Sequence, residues 1–302
     1  MTKLQSAVTV LIVVLTSAVE SAAQEFFHEP QSSGQFRAAA VSYDNFFQAP
    51  TGRASRDVLA GLLELRMEET VGESDRLKAY THFEYITFRE LGASPGLVVG
   101  VKRKGRAHSF EVETSFQWNR PRSDVGDELE LGNLFGGAAS YAYKVVGALQ
   151  LVALGEYRAE FLEDQSTPDT RFREVGGALA YRAFGGRLSP EVGLTRGTRD
   201  ASNANADYVQ RTPYLNIRTS AVPRVNLGVR YKQPRREYLV ADPMSKNFAR
   251  KDHRRSVSAS ADISIGEHQL WSFFGGLDEG VSTRAGRAFV ARSFGTGLTL
   301  RY

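Results

Sequence analysis

Residues 108–118 alternate without a break between two kinds of side chain. Phe110, Val112, Thr114, Phe116 and Trp118 fall on one face of an extended chain, and Ser109, Glu111, Glu113, Ser115 and Gln117 on the other. A helix would mix these sets; a strand separates them. The same period of two returns over 148–161, where Leu149, Leu151, Ala153, Gly155, Tyr157, Ala159 and Phe161 oppose Gln150, Glu156, Arg158 and Glu160. It returns over 224–232 and 256–265. In order, the chain offers fourteen candidate strands, near 35–46, 57–69, 76–89, 96–103, 108–118, 131–143, 148–161, 171–184, 188–196, 207–219, 224–232, 253–265, 268–276 and 287–302. The second and thirteenth leave their facing open.

The connections alternate as well. Short ones at 70–75, 104–107, 144–147, 185–187, 220–223 and 266–267 carry turn formers such as Gly72, Gly105, Gly147, Gly185, Gly186, Pro223 and Gly266. Longer polar ones lie at 47–56, 90–95, 119–130, 162–170, 197–206, 233–252 and 277–286. Short turns on one side and long loops on the other are the pattern of a closed, all-β transmembrane barrel. A soluble sandwich or lipocalin-like barrel is the alternative, and it would bury the apolar face inside. Here the polar face is rich in charge. It also carries small residues (Gly136, Ala138, Ser140, Ala142; Gly176, Ala178, Ala180) that leave room in a lumen. The expectation is one antiparallel barrel of about fourteen strands over 34–302.

Composition narrows the function. No cysteine is present, so disulfides hold nothing together. A closed sheet can do so instead, because it pairs its backbone groups without leaving an edge. A net charge of +4, with no basic motif, gives no footprint for nucleic acid. No metal-ligand spacing appears, and no metal or other cofactor is expected.

Both ends of the chain agree with export. Lys3, an uncharged apolar run over 7–19 and the small residues Ser21, Ala22 and Ala23 form a secretory signal peptide over 1–23, cleaved near Ala23. The run is short for a bilayer-spanning helix of about 20 residues. No cysteine follows it, which excludes a lipoprotein. Residues 24–33 are then a short periplasmic segment. At the other end, Gly297, Leu298, Leu300 and Tyr302 close a half-apolar strand on a terminal aromatic. This ending resembles that of bacterial outer-membrane β-barrel proteins, where it is the signal read by the barrel-assembly machinery. The resemblance extends over nearly the whole mature chain. Strand number is similar to that of monomeric fourteen-strand porins. It is also similar to that of the barrel domain of surface lipoprotein assembly modifiers, whose helical-repeat domain 24–33 is too short to match. The resemblance implies outer-membrane residence, contact with lipid and lipopolysaccharide, and a monomer with periplasmic termini.

In that setting the polar face lines a lumen. Its candidate pore-lining residues are Lys78, His82 and Glu84 in the third segment, Glu111 and Glu113 in the fifth, and Glu156, Arg158 and Glu160 in the seventh. Glu174 and Arg182 follow in the eighth, Glu191 in the ninth, Asn216 and Arg218 in the tenth, Arg230 and Lys232 in the eleventh, then Asp262 and Arg301. Acids dominate segments three to nine; bases dominate ten and eleven. Either opposed charged walls flank an aqueous pore, or the charges pair across it and plug it. The loop 233–252, with Arg235, Arg236, Lys246, Arg250 and Lys251, is a candidate gate or a solvated basic loop.

On the apolar face, Tyr85, Phe116, Trp118, Tyr157, Phe161 and Tyr231 mark the outer interface, and Tyr143, Tyr181 and Tyr302 the inner one. Arg196, Arg211 and Arg292 fall on this face near the outer ends of their strands, where arginine can bond lipopolysaccharide phosphates. Arg196 and Arg211 flank one loop and should be neighbours. No catalytic residues are expected. Of the five histidines (His28, His82, His108, His253 and His268), only His253 reaches the outer rim, beside Asp252, and no barrel hydrolase motif surrounds it. The function expected is a passive pore for small hydrophilic solutes. The alternative is a non-conducting structural, surface-interaction or export barrel.

Overall fold

A computed structural model describes residues 32–44, 58–71, 77–89, 92–122, 130–162, 169–202, 206–220, 222–284 and 287–302. The signal peptide, its cleavage site, most of the segment 24–33 and the turn at Gly72 lie outside them. The strands are β1 (Ser32–Asp44), β2 (Val58–Thr70), β3 (Leu77–Phe88), β4 (Gly92–Lys104), β5 (His108–Arg122), β6 (Glu130–Val146), β7 (Leu149–Leu162) and β8 (Thr170–Tyr181). They continue as β9 (Leu188–Ala201), β10 (Tyr208–Thr219), β11 (Val225–Lys232), β12 (Arg235–Tyr238), β13 (Lys251–Ser264), β14 (Gln269–Ser282) and β15 (Phe289–Arg301).

Each strand pairs antiparallel with its neighbours, and β15 pairs back onto β1, so the sheet closes. β11 and β12 both pair with β10 and β13, and together they occupy one barrel position. The barrel therefore has fourteen strand positions. The break falls at Pro234, which has no N–H to give to the ladder. The register resumes unshifted at Arg235, so facing is kept across the gap.

The alternation becomes two environments. Val112, Leu151, Val175, Leu194, Val229 and Phe294 point outward and are exposed, while Ala178, Ala180, Gln210, Thr212, Tyr214 and Ser272 point inward and are buried. Large apolar groups outside and small or polar ones inside reverse the order of a soluble protein and fit a sheet solvated by lipid. Outward rings gather at the two ends. Tyr143, Tyr181, Trp271 and Tyr302 lie at the end where the termini meet; Phe116 packs edge-on against Trp118, centroids 4.3 Å apart, towards the other.

The termini form the seam. Gly34 and Tyr302 exchange backbone hydrogen bonds of 2.8 and 3.1 Å, and the Tyr302 ring covers the space a Gly34 Cβ would fill. Gly297 faces inward, and an added Cβ would lie 2.7 Å from the Cβ of Ala39. The alternate residues Leu298, Leu300 and Tyr302 face outward. A closed hydrogen-bonded cylinder of this kind should resist detergent. The unheated protein is expected to run faster on a denaturing gel than the boiled protein, and coincident bands would contradict closure.

Several elements differ from the sequence pattern: β9 runs on to Ala201 and β14 to Ser282, through residues expected in loops. β4 begins at Gly92, because Gly92 at φ +87° turns the chain early and leaves only 89–91 as its connection to β3. β5 runs on to Arg122 through a bulge at Asn119, φ +48°, which breaks the period of two and aims Arg120 inward.

Candidate functional site: the charged lumen

The period of two fixes which side chains reach the interior, and the cross-strand register fixes which of them meet. A cavity of about 500 Å³ is lined by Glu111 and Glu113 of β5, Glu156 and Arg158 of β7, Glu174 of β8 and Glu191 of β9. Tyr214, Asn216 and Arg218 of β10 and Arg230 and Lys232 of β11 complete it, with Arg182 towards the terminal end. Room for it comes from the inward Ala138, Ser140, Gly136, Gly176, Ala178 and Ala180 of β6 and β8. Glu156 and Glu174 stand directly opposite each other, an unfavourable pairing of like charges. Each is offset locally: Arg158 Nε lies 2.7 Å from Glu156 Oε1, and the Thr195 hydroxyl donates to Glu174. Tyr214 donates to Glu191 at 3.3 Å. Among the described residues, no ion pair joins Arg218, Arg230 or Lys232 to these carboxylates. The acidic and basic walls therefore line one space without bridging it.

A second cavity, of about 580 Å³, opens at the terminal end beneath β1–β4, lined by Arg37, Glu64, Arg66, Glu68, His82, Lys102 and Arg301. Here the charges do pair. Lys102 and Arg66 both engage Glu68, the latter at 3.1 Å, and Arg37 holds Glu64 at 3.1 Å. The Arg66 guanidinium stacks 4.4 Å over the Tyr80 ring, whose hydroxyl donates to Glu113 at 2.7 Å. Tyr80 fits because Gly100 faces it: an added Cβ would lie 2.4 Å from Tyr80 Cζ. Gly100→Val is accordingly expected to destabilise the barrel by about 1–3 kcal/mol and to free Tyr80 from Glu113. A denaturant titration in lipid, with the near-UV signal of the ring, checks both.

The remaining candidates also point inward. Lys78 pairs across the sheet with Lys102. Glu160 accepts from Thr170 at 3.2 Å and lies 3.8 Å from Arg120. Asp262 accepts from Ser272 at 2.6 Å, and Arg182 donates to Gln150 at 3.4 Å. His82 Nε2 lies 3.8 Å from both Glu64 and Glu84, and these three donor atoms fall within 4.8 Å of one another. Arg37 engages the other Glu64 oxygen at 3.1 Å. The sequence reading missed Arg37, Glu64, Arg66, Glu68, Tyr80 and Lys102. The signal for three of them, Glu64-x-Arg66-x-Glu68, lay in the strand whose facing was open.

Within the candidate gate 233–252, Arg235–Tyr238 is strand β12, Lys251 opens β13, and 239–250 form a loop of turns. Two of its basic residues are tied down. Arg236 donates to Gln210 at 2.8 Å, and Arg250 makes two bonds to Asp252, of 2.9 and 2.6 Å, while stacking 4.4 Å over Tyr238. This also separates the one pair considered for catalysis. Asp252 faces inward onto Arg250, whereas His253, the next residue along the strand, is exposed on the outer face.

Arg196, Arg211 and Arg292 are all outward and exposed. Arg196 and Arg211 are direct cross-strand partners. Arg292 stands apart, 3.5 Å from Asp44; its charge is met within the protein.

No protein-family model matches the chain, and no curated protein matches it in sequence. Among solved structures it is similar to an outer membrane channel from Pseudomonas putida F1, at 11% identity over 91% of this chain and 96% of that one, with a TM-score of 0.51. It is similar also to an anion-selective porin from Comamonas acidovorans, at 11% identity over 90% and 100%, with a TM-score of 0.48. At such identity the first likeness bears on the fold alone. Taken with the closed sheet, the outward apolar face and the charged interior, it gives this chain the fold of the bacterial outer-membrane β-barrels.

Proposed function

We propose that the chain is an outer-membrane pore through which small hydrophilic solutes pass passively. The observation that carries this reading is the cavity between β5–β9 and β10–β11, where acidic and basic walls line one space with no ion pair across it. In this reading the termini lie on the periplasmic side, and the mature chain is exported, handed to the assembly machinery by its terminal strand and inserted as a monomer. Solute selection would be weak, because both signs of charge line the path. Planar-bilayer recording is the test: discrete ohmic steps on insertion are expected, and a folded, inserted barrel with no conductance would overturn the pore.

A second reading has its own support. The lumen beside β1–β4 is partly filled by the Arg66–Glu68–Lys102–Tyr80 knot and by an inward apolar cluster of Tyr43, Val58, Ala60, Ile86 and Phe88. A non-conducting structural or surface-interaction barrel would follow if that filling extended to the whole section. The same recording separates the two.

A further inference from the structure

At the end of the barrel away from the termini, the outward face places four basic residues side by side. Arg196 is the direct partner of Arg211, Arg211 of Arg235, and Arg235 of His253, across β9, β10, β12 and β13. All four are exposed. Directly opposed residues in an antiparallel sheet lie about 4.5–5.5 Å apart at Cα, so three guanidinium groups stand in a row one strand apart. Like charges so placed destabilise a sheet. The protein does not offset them. Further outward on the same face, Asp200 and Glu237 are engaged by Arg173 and Lys251, at 4.0 and 3.3 Å. The row itself ends on Val175 and Val281. Among the described residues, Arg196 and Arg211 have no acidic partner within ion-pairing distance.

Height on the barrel identifies what meets the row. Tyr231 points outward four residues nearer the terminal end on the same barrel position as Arg235, and the next residues inward of Arg196 and Arg211 on that face are Leu194 and Pro213. Amphipathic rings settle at the edge of the hydrocarbon, so the row stands just beyond it, at headgroup level. A charge there costs little, whereas at the mid-plane it is expensive. Guanidinium forks match phosphate oxygens two at a time. We propose that Arg196, Arg211 and Arg235 form a binding surface for an outer-leaflet glycolipid carrying more than one phosphate, which supplies the charge that the sheet lacks and fixes the barrel's height. The proposal rests on the outer-membrane reading but not on conductance.

The test compares wild type with R196Q/R211Q/R235Q in phosphatidylcholine vesicles doped with bis-phosphorylated or dephosphorylated lipid A. Insertion is verified by protease protection, and retained lipid is counted by native mass spectrometry after mild extraction. Wild type should retain the phosphorylated lipid severalfold above the triple variant, and neither should retain the dephosphorylated form. R196K/R211K/R235K should fall between them, because charge remains while the fork is lost, and R292Q should match wild type. An inserted wild type with no preference for phosphate, or equal retention by the triple variant, overturns the proposal and leaves the outer-membrane reading intact. Failure of the wild type to insert overturns both.

Discussion

Arg218→Glu combined with Arg230→Glu is expected to turn a weakly selective pore into one that clearly prefers cations. Five carboxylates (Glu111, Glu113, Glu156, Glu174, Glu191) face five cations (Arg158, Arg182, Arg218, Arg230, Lys232) around the cavity between β5–β9 and β10–β11. The double variant makes that seven against three. Charges lining a constriction set the ion preference of a channel, so the reversal potential under a salt gradient should move to the cation side. The shift should be large near 0.1 M salt, where the screening length is about 10 Å, and small near 1 M, where it is about 3 Å. Arg211→Glu combined with Arg235→Glu, which changes charge equally on the outer face, should leave the reversal potential where it was. Clear conductance with an unmoved reversal potential in the double variant would remove Arg218 and Arg230 from the path. The fold should survive, because neither guanidinium is tied into an ion pair among the described residues.

What made that cavity legible in the sequence is also what hid the other one. On β5, β10 and β11 every inward residue is polar or small, over 150–160 of β7 all but Val152 and Leu154 are, and most outward ones are large and apolar, so a period of two is visible without any structure. On β2 the inward set includes Val58, Ala60 and Leu62, and on β14 it includes Leu270 and Phe274, with apolar residues on the outward face as well. Alternation between two apolar faces carries no signal, and the luminal Glu64, Arg66 and Glu68 went unassigned with it. The bulge at Asn119 had a related effect. One inserted residue inverts the facing of everything beyond it, so the pattern of β5 ended at Trp118 although the strand does not. The pairing of Arg196 with Arg211 could be read from the loop they flank. The addition of Arg235 could not, because the apparent strand ends at Lys232 and Pro234 follows before the register resumes. Nor could the ion pair of Arg292 with Asp44, which joins two ends of the chain that only closure of the barrel brings together.

Val112→Arg should destabilise the inserted barrel by about 2–4 kcal/mol, while Leu151→Arg should cost only about 0–1. Both residues face outward and both are about half exposed, so burial does not distinguish them; depth does. Val112 lies midway on β5 between His108, whose ring packs 5.0 Å from Tyr143, and the Phe116–Trp118 pair. Leu151 is the cross-strand partner of Tyr143 itself, level with the inner ring of aromatics. An arginine at Leu151 can reach water or headgroups along its own stem. From Val112 it cannot do so without thinning the membrane. Denaturant titrations in bilayers of a single chain length would measure the difference, and a thinner bilayer should narrow it by bringing Val112 closer to the interface. Equal costs for the two variants would mean that the aromatics do not mark the membrane boundary, and that the headgroup-level placement of Arg196, Arg211 and Arg235 is wrong along with it.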